Sequence, residues 1–215
     1  LWQATGVGRY RRAGARGVAL LVHAQLPGGG WPLVRRRPWI RALHTRYPDL
    51  PSVNDAATPQ AIRTLLVTAD GLGRPKLRRL AARGGRWLVG VQGTAPQAAW
   101  AQQYDAASRP APARRFEPAG FASWETRYAL DALDALARST GDRAWCASLA
   151  AAVDWLKRSA LAPGCWARLY AVGSNAPLYA ATDGTLVDTP ARAYGNYSWR
   201  GDFGIPGLLA RLASS

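Results

Sequence analysis

The sequence predicts a mainly α domain with long irregular loops and a few short β-strands. Three observations carry this. Two stretches, 123–138 and 142–159, repeat apolar residues at helical spacing. Proline-rich stretches without periodicity separate the regular ones, the longest over 33–53 and 100–120. Strand character is confined to two short runs inside 164–187, WARLYAV and PLYAAT, before a DG turn.

Taken in order, RYRRAGARGVALLVHAQL (9–26) reads as a helix, and PGGGWP stops it. Its apolar run, Val18–Val22, is expected to be a short buried segment. After the irregular 33–53, Asn54-Asp55 precedes a helix. Thr58 is its expected N-cap, Pro59 suits its first turn, and Ala61, Leu65, Leu66 and Ala69 form its apolar face. Residues 74–83 continue as a basic helical piece. RWLVGVQG (86–93) reads either as a buried strand or as a helix end. In 123–138, Ser123 is the expected cap of a face made by Tyr128, Ala129, Ala132, Leu133 and Leu136. Asp142 caps the next helix, whose face holds Trp145, Leu149, Ala152, Val153 and Leu156. The STGD turn between them predicts antiparallel packing, and GIPGLLARL suits a last short helix.

Composition bounds function loosely. The chain has 215 residues, 48% of them apolar, enough for a real core in a single domain over 1–215. No apolar run approaches the roughly 20 residues that span a bilayer, so no membrane partner is expected. The charge of +15 comes from 28 basic against 13 acidic residues, and such a field attracts polyanions. Two cysteines, Cys146 and Cys165, could pair in an oxidising compartment. With His23 and His44 the only histidines, expected on a helix face and a loop, a zinc site of the usual kind is not expected.

Candidate chemistry lies in three irregular places: GGGWP with SVNDAAT (28–32 and 52–58), WAQQYDAASRPAPARRFEPAG (100–120), and 168–202 with Arg168, Asn175, Asp183, Asp188, Arg192, Tyr197, Trp199 and Asp202. Loop carboxylates suit a hard cation such as calcium. Neighbouring arginines suit a carboxylate or phosphate ligand. Aromatic rings suit flat sugar faces or bases. Each residue also has a plainer reading: Asp55 as a helix cap, Arg114 with Glu117 as a structural ion pair, Trp31 as core.

The wording of these segments resembles family 10 pectate lyases. The resemblance rests on AQLPGGGWPL (24–33), NDAAT (54–58), WAQQYDAASRPAPARRFEPA (100–119), SWE (123–125), RLYAVGSNAPLYAATDG (168–184) and ARAYGNYSW (191–199), all in the family's order. It implies an α/α toroid-like helical domain, and calcium-dependent cleavage of polygalacturonate or a related acidic polysaccharide by β-elimination. By the same resemblance Asp55 and Asp105 are the calcium-linked aspartates, Asp55 also serving the catalytic centre, and Arg192 is the base. Arg114 and Arg168 grip uronate carboxylates, Trp31 and Tyr104 support sugar rings, and Lys157 lies at a subsite. A secreted or periplasmic monomer without a nucleic-acid partner is the matching expectation. The chain departs from the pattern at Ala176, Thr182 and Ala193, where arginines are usual, and in the extra residue of GNY. The alternatives are a weakened relative that binds acidic polysaccharide without cleaving it, a nucleic-acid-binding protein, and a hydrolase using Asp105 and Glu117.

Overall fold

The computed structural model describes residues 2–34 and 47–214. His44 and the basic RRRP run lie outside the described residues. Among those described are six α-helices of nine or more residues: α1 (Gly8–Ala24), α2 (Ala57–Gly71), α3 (Lys76–Val91), α4 (Ser123–Thr140), α5 (Cys146–Arg158) and α6 (Ile205–Ala213). The fold is mainly α, as the periodicity predicts. RWLVGVQG resolves as the end of α3, continuous with the basic piece before it.

The apolar faces explain the packing. Ile62 and Leu65 of α2, Leu88 of α3, Leu130, Leu133 and Leu136 of α4, and Trp155 and Leu156 of α5 are essentially inaccessible and share one core. Each such side chain contributes about 1.5–3 kcal/mol of burial. Helix α3 approaches its neighbours closely because Gly84 and Gly85 lack side chains. A Cβ at Gly84 would sit 2.5 Å from the Trp31 ring, and one at Gly85 would run into Leu136. Helix α1 is peripheral. Contrary to the buried-segment expectation, Leu20 and Val22 of its apolar run are exposed, because a helical turn points only Val18 and Leu21 at the core.

Two expected caps do other work. Thr58 lies one residue inside α2, and its Oγ1 accepts from Trp31 N (2.8 Å), tying the GGGW turn to the helix. Ser123 donates to Ala167 O (2.7 Å) across to the sheet. Asp142 does cap, accepting from Ala144 N (2.8 Å) at the short turn that leads into α5.

The strands are short: β1 (Gln103–Tyr104), β2 (Pro110–Ala111), β3 (Phe121–Ala122), β4 (Trp166–Ala167), β5 (Leu169–Tyr170), β6 (Pro177–Ala180), β7 (Leu186–Val187) and β8 (Arg200–Gly201). An antiparallel sheet runs β3-β5-β6-β7, while β1 pairs with β2 and β4 with β8. Phe121 faces Tyr170 and Leu169 faces Leu178 in register. A smaller core (Ala122, Leu169, Tyr179, Ala180, Trp199) lies on this sheet, with Phe116, Tyr194 and Tyr197 against it. The sheet therefore places Arg168, between β4 and β5, beside the start of α4. Cys146 and Cys165 are free thiols. No described helix is long and apolar enough to cross a membrane.

Candidate functional site

The ND turn is anchored to the QQY strand. Gln102 O accepts from Val53 N (3.1 Å), Asn54 N (2.8 Å) and Ser52 Oγ (3.1 Å). This forces Asp55 and Ala56 into left-handed backbone, φ 50° and 59°. Two consecutive non-glycine residues there cost free energy that the surrounding hydrogen bonds must offset. The result is an exposed Asp55 close enough to Arg114 to stabilise its positive charge.

Arg114 opens the central network. Its Nε and Nη2 each donate to Glu117 at 2.7 Å, and its backbone N–H donates to the same carboxylate at 3.0 Å. Glu117 is fully buried, while 41% of the Arg114 side chain remains accessible. Tyr197 Oη donates to Glu117 (2.9 Å), and Gln102 Nε2 lies 2.8 Å from Tyr197 Oη, 3.3 Å from Glu117 and 3.4 Å from Glu125. Arg168 Nη2 reaches Glu125 at 3.4 Å. The Arg168 guanidinium lies 4.3 Å from the Trp124 ring centroid, 4.7 Å from Tyr197 and 5.7 Å from Phe203. Residues 54–55, 102, 114–125, 168 and 197, far apart in sequence, thus form one assembly.

The two glutamates titrate in opposite directions. Burial raises the Glu117 carboxyl, but the hydrogen bonds from Arg114 and Tyr197 outweigh it and hold the group below its usual range. Burial raises Glu125 as well, and the single long contact with Arg168 does not compensate. Hydrogen bonding to Glu117 fixes the positive charge of Arg114. Burial pushes the Tyr197 phenol up. Glu125 Oε2, Arg168 Nε and Gln102 Oε1 are buried with no hydrogen-bond partner among the described residues.

The other expected site residues are placed differently. Trp31 is core: its Nε1 donates to Leu21 O (2.8 Å), and only 2% of the residue is accessible. Tyr104 is wholly buried edge-on against Trp87, its hydroxyl accepting from Ala101 N (2.8 Å). Neither ring offers a face to a sugar, so the platform role is corrected for both. Arg168 is buried under aromatic rings and so holds the site from beneath; a uronate would not reach it directly. Lys157 lines a separate groove with Leu149, Val153, Leu209 and Leu212, which none of the network residues lines. Asn175 is structural, its amide joining Trp155 Nε1 (2.8 Å), Gln97 Nε2 (3.1 Å) and Ser159 Oγ (2.9 Å). Arg192 stands in solvent, paired with Asp188 at 3.2 Å.

The fit to calcium is poor. Asp105 Oδ1 accepts from Ala107 N and Arg109 N (both 2.9 Å), and Oδ2 from Arg109 Nε (2.9 Å). These bonds, the Arg109 backbone N–H first, hold its pKa low. They also occupy the lone pairs a cation would need. No cluster of three or more His, Cys, Asp or Glu among the described residues could hold a metal. Asp55 alone is far short of the six to eight oxygens calcium takes.

Against solved structures the chain aligns over 99% of its length with a family 10 polysaccharide lyase from Cellvibrio cellulosa, at TM-score 0.81 and 18% identity, covering 75% of that chain. A mutant of that enzyme in complex with trigalaturonic acid matches equally. The fold is polysaccharide-lyase-like. A sugar epimerase from a ruminal bacterium shares it more loosely, at TM-score 0.61 and 11% identity, with 100% of this chain covering 50% of that one. No protein-family profile and no curated sequence matches the chain.

Three residues beside the site, Trp124, Tyr128 and Phe203, are not among the site residues the sequence motifs single out, and Tyr128, expected on the apolar face of α4, instead lies half-buried against Trp124. Their signal was present. Trp124 and Tyr128 are four residues apart, one helical turn, between core positions of α4.

Proposed function

We propose that the chain acts on an acidic polysaccharide of the polygalacturonate type as a β-eliminating lyase. The observation that carries this reading is Arg114: a permanently charged guanidinium, part exposed, locked by a buried glutamate and flanked by Asp55, on a lyase-like fold. A counterpart with that fold holds trigalaturonic acid. In a uronate the carboxylate neighbours C5–H, which is acidic only when that negative charge is neutralised. Arg114 supplies a fixed positive charge for this without reorganising. Elimination then moves the C5 proton to a base, forms the C4=C5 bond, breaks C4–O4 and returns a proton to the departing oxygen. Arg114 itself is held too firmly protonated to be the base.

The base is assigned to Arg192 and the metal to calcium on the resemblance alone. An arginine base needs cationic crowding to bring its strongly basic guanidinium within reach of proton transfer. Arg192, beside Asp188, must leave that pair first. Calcium dependence likewise does not follow from the donor set, and no step here runs through the metal. A second reading, binding without cleavage, is favoured by the occupied Asp105 carboxylate and by Ala176 and Thr182.

The test is incubation with polygalacturonate, with calcium or with chelator, reading the ultraviolet absorbance of unsaturated product. Wild type should form product, and Arg114→Lys should lose about 10²–10³-fold. Loss of product in Arg192→Ala supports that base, and loss with chelator supports the metal. Polymer bound with no product in any condition establishes the second reading.

A further inference from the structure

Next to the Arg114 network lies an open groove of about 490 Å³ lined by Trp124, Arg127, Tyr128, Ser198, Arg200 and Phe203, together with Gly201, Asp202 and Gly204. Trp124 is within 26° of parallel to Tyr128 and within 23° of parallel to Phe203, at centroid separations of 6.1 and 5.5 Å. All three rings are half-buried and line the groove, so each keeps part of its apolar surface on it. Phe203 occupies its place at a conformational cost. Its φ is 48°, a left-handed backbone that bulky residues rarely adopt, fixed by Gly204 N donating to Asp202 Oδ1 (3.0 Å) and Ile205 N donating to Asp202 O (2.8 Å). Arg168, 95% buried with its Nε unpartnered among the described residues, touches Trp124, Phe203 and Tyr197 together. Tyr197 in turn meets Arg114 at 5.9 Å. The aromatic groove and the charged site are therefore linked beneath the surface through one buried cation.

The basic groups of the groove are already engaged. Arg127 Nε pairs with Asp131 (3.4 Å) and stands over Tyr128 (5.0 Å), and Arg200 Nε donates to Tyr179 Oη (2.7 Å). Recognition there must come mainly from ring faces, with Ser198 Oγ and Asp202 available to sugar hydroxyls.

We infer that the Trp124–Tyr128–Phe203 groove is a sugar-ring subsite that takes a pyranose by its C–H face, whether or not its carboxyl group is charged, beside the charged position at Arg114. This rests on the reading of the chain as polysaccharide-binding and does not require cleavage. A chain of this kind would hold partly esterified polymer, one residue read by charge and a neighbour read by stacking.

The experiment measures binding of unesterified and fully methyl-esterified hexagalacturonate by titration calorimetry, at low salt and at high salt. Tyr128→Ala and Phe203→Leu should weaken both probes about 3- to 10-fold, equally at both salt levels. Tyr128→Phe keeps the ring and should bind as wild type does, which separates stacking from damage to the fold. Arg114→Lys should weaken only the unesterified probe, and less so at high salt. Unchanged affinities in Tyr128→Ala and Phe203→Leu, or no binding of the esterified probe by wild type, would overturn the inference. Product formation with unaffected groove variants leaves the lyase reading standing and this one fallen. Groove-dependent binding without product does the reverse.

Discussion

Arg168–Glu125 and Arg192–Asp188 are the same pair of chemical groups in opposite surroundings. In the first, 6% and 1% of the two side chains are accessible; in the second, 69% and 71%. The first is ringed by Trp124, Tyr197 and Phe203, with polar atoms left unpartnered among the described residues. The second is an i,i+4 pair at the end of a 3₁₀ turn, in water on all sides. Both arginines come from the same irregular stretch of sequence, 168–202. The difference shows that the contact an arginine makes matters less than what surrounds it. In the dry setting each charge depends on the other; in the wet one water already satisfies both.

The largest expected effect comes from breaking the dry pair. Arg168→Ala removes the cation from a glutamate that cannot reach solvent, and should cost about 3–5 kcal/mol of stability at neutral pH by denaturant unfolding. The loss should shrink in acid, because Glu125 is already biased toward its neutral form and protonates to relieve the stranded charge. A loss that is the same at all pH values would show that stacking on Trp124, not charge pairing, is what Arg168 contributes.

Next comes Glu117→Gln. Glu117 accepts a bidentate pair from Arg114 and a third bond from Tyr197, so its neutralisation should cost about 1.5–3 kcal/mol at pH 7. Its folded pKa lies below the ordinary value of about 4.3. The stability it contributes is therefore complete above that ordinary value and disappears as pH falls through the folded one. Wild type and variant should converge in acid. Glu125→Gln should show the opposite sign. The raised Glu125 favours the folded state fully below its ordinary pKa, and that advantage is lost as pH rises through the folded value. The variant should thus have a flatter profile on the neutral side. Measured together, the two curves would separate glutamates that Gln102 links directly.

Much of this arrangement was legible in the sequence, and the misreadings share a cause. Helical periodicity located α2, α4 and α5, because the spacing of Leu65, Leu133 or Leu156 reflects burial directly. The Arg114–Glu117 pair was readable at three residues' separation in a proline-rich loop. Whether a polar or aromatic group in such a loop faces in or out was not readable. Trp31 and Tyr104 looked like platforms but are core, because the GGGW turn and the QQY strand lie under α3 and its Trp87. Asp105 looked like a metal ligand, but its own turn returns Arg109 to it four residues later. Thr58 looked like a cap until Trp31, 27 residues away, supplied a better partner. Each outcome depends on a neighbour distant in sequence or on a turn geometry that periodicity does not encode.

The smallest effect sharpens the comparison most. Arg192→Ala should change stability by no more than about 0.5 kcal/mol, since an exposed i,i+4 pair contributes little and its loss leaves Asp188 fully hydrated. Raising the salt concentration should erase even that difference, whereas the cost of Arg168→Ala should persist, because screening acts on charges that solvent reaches. This stability silence makes the position informative about chemistry. A drop in product formation by Arg192→Ala, with unfolding unchanged, cannot be a folding effect and would mean that the arginine leaves Asp188 for the substrate. An activity as indifferent as the stability would mean that Arg192 is a solvated surface cation and that the proton is taken by another group.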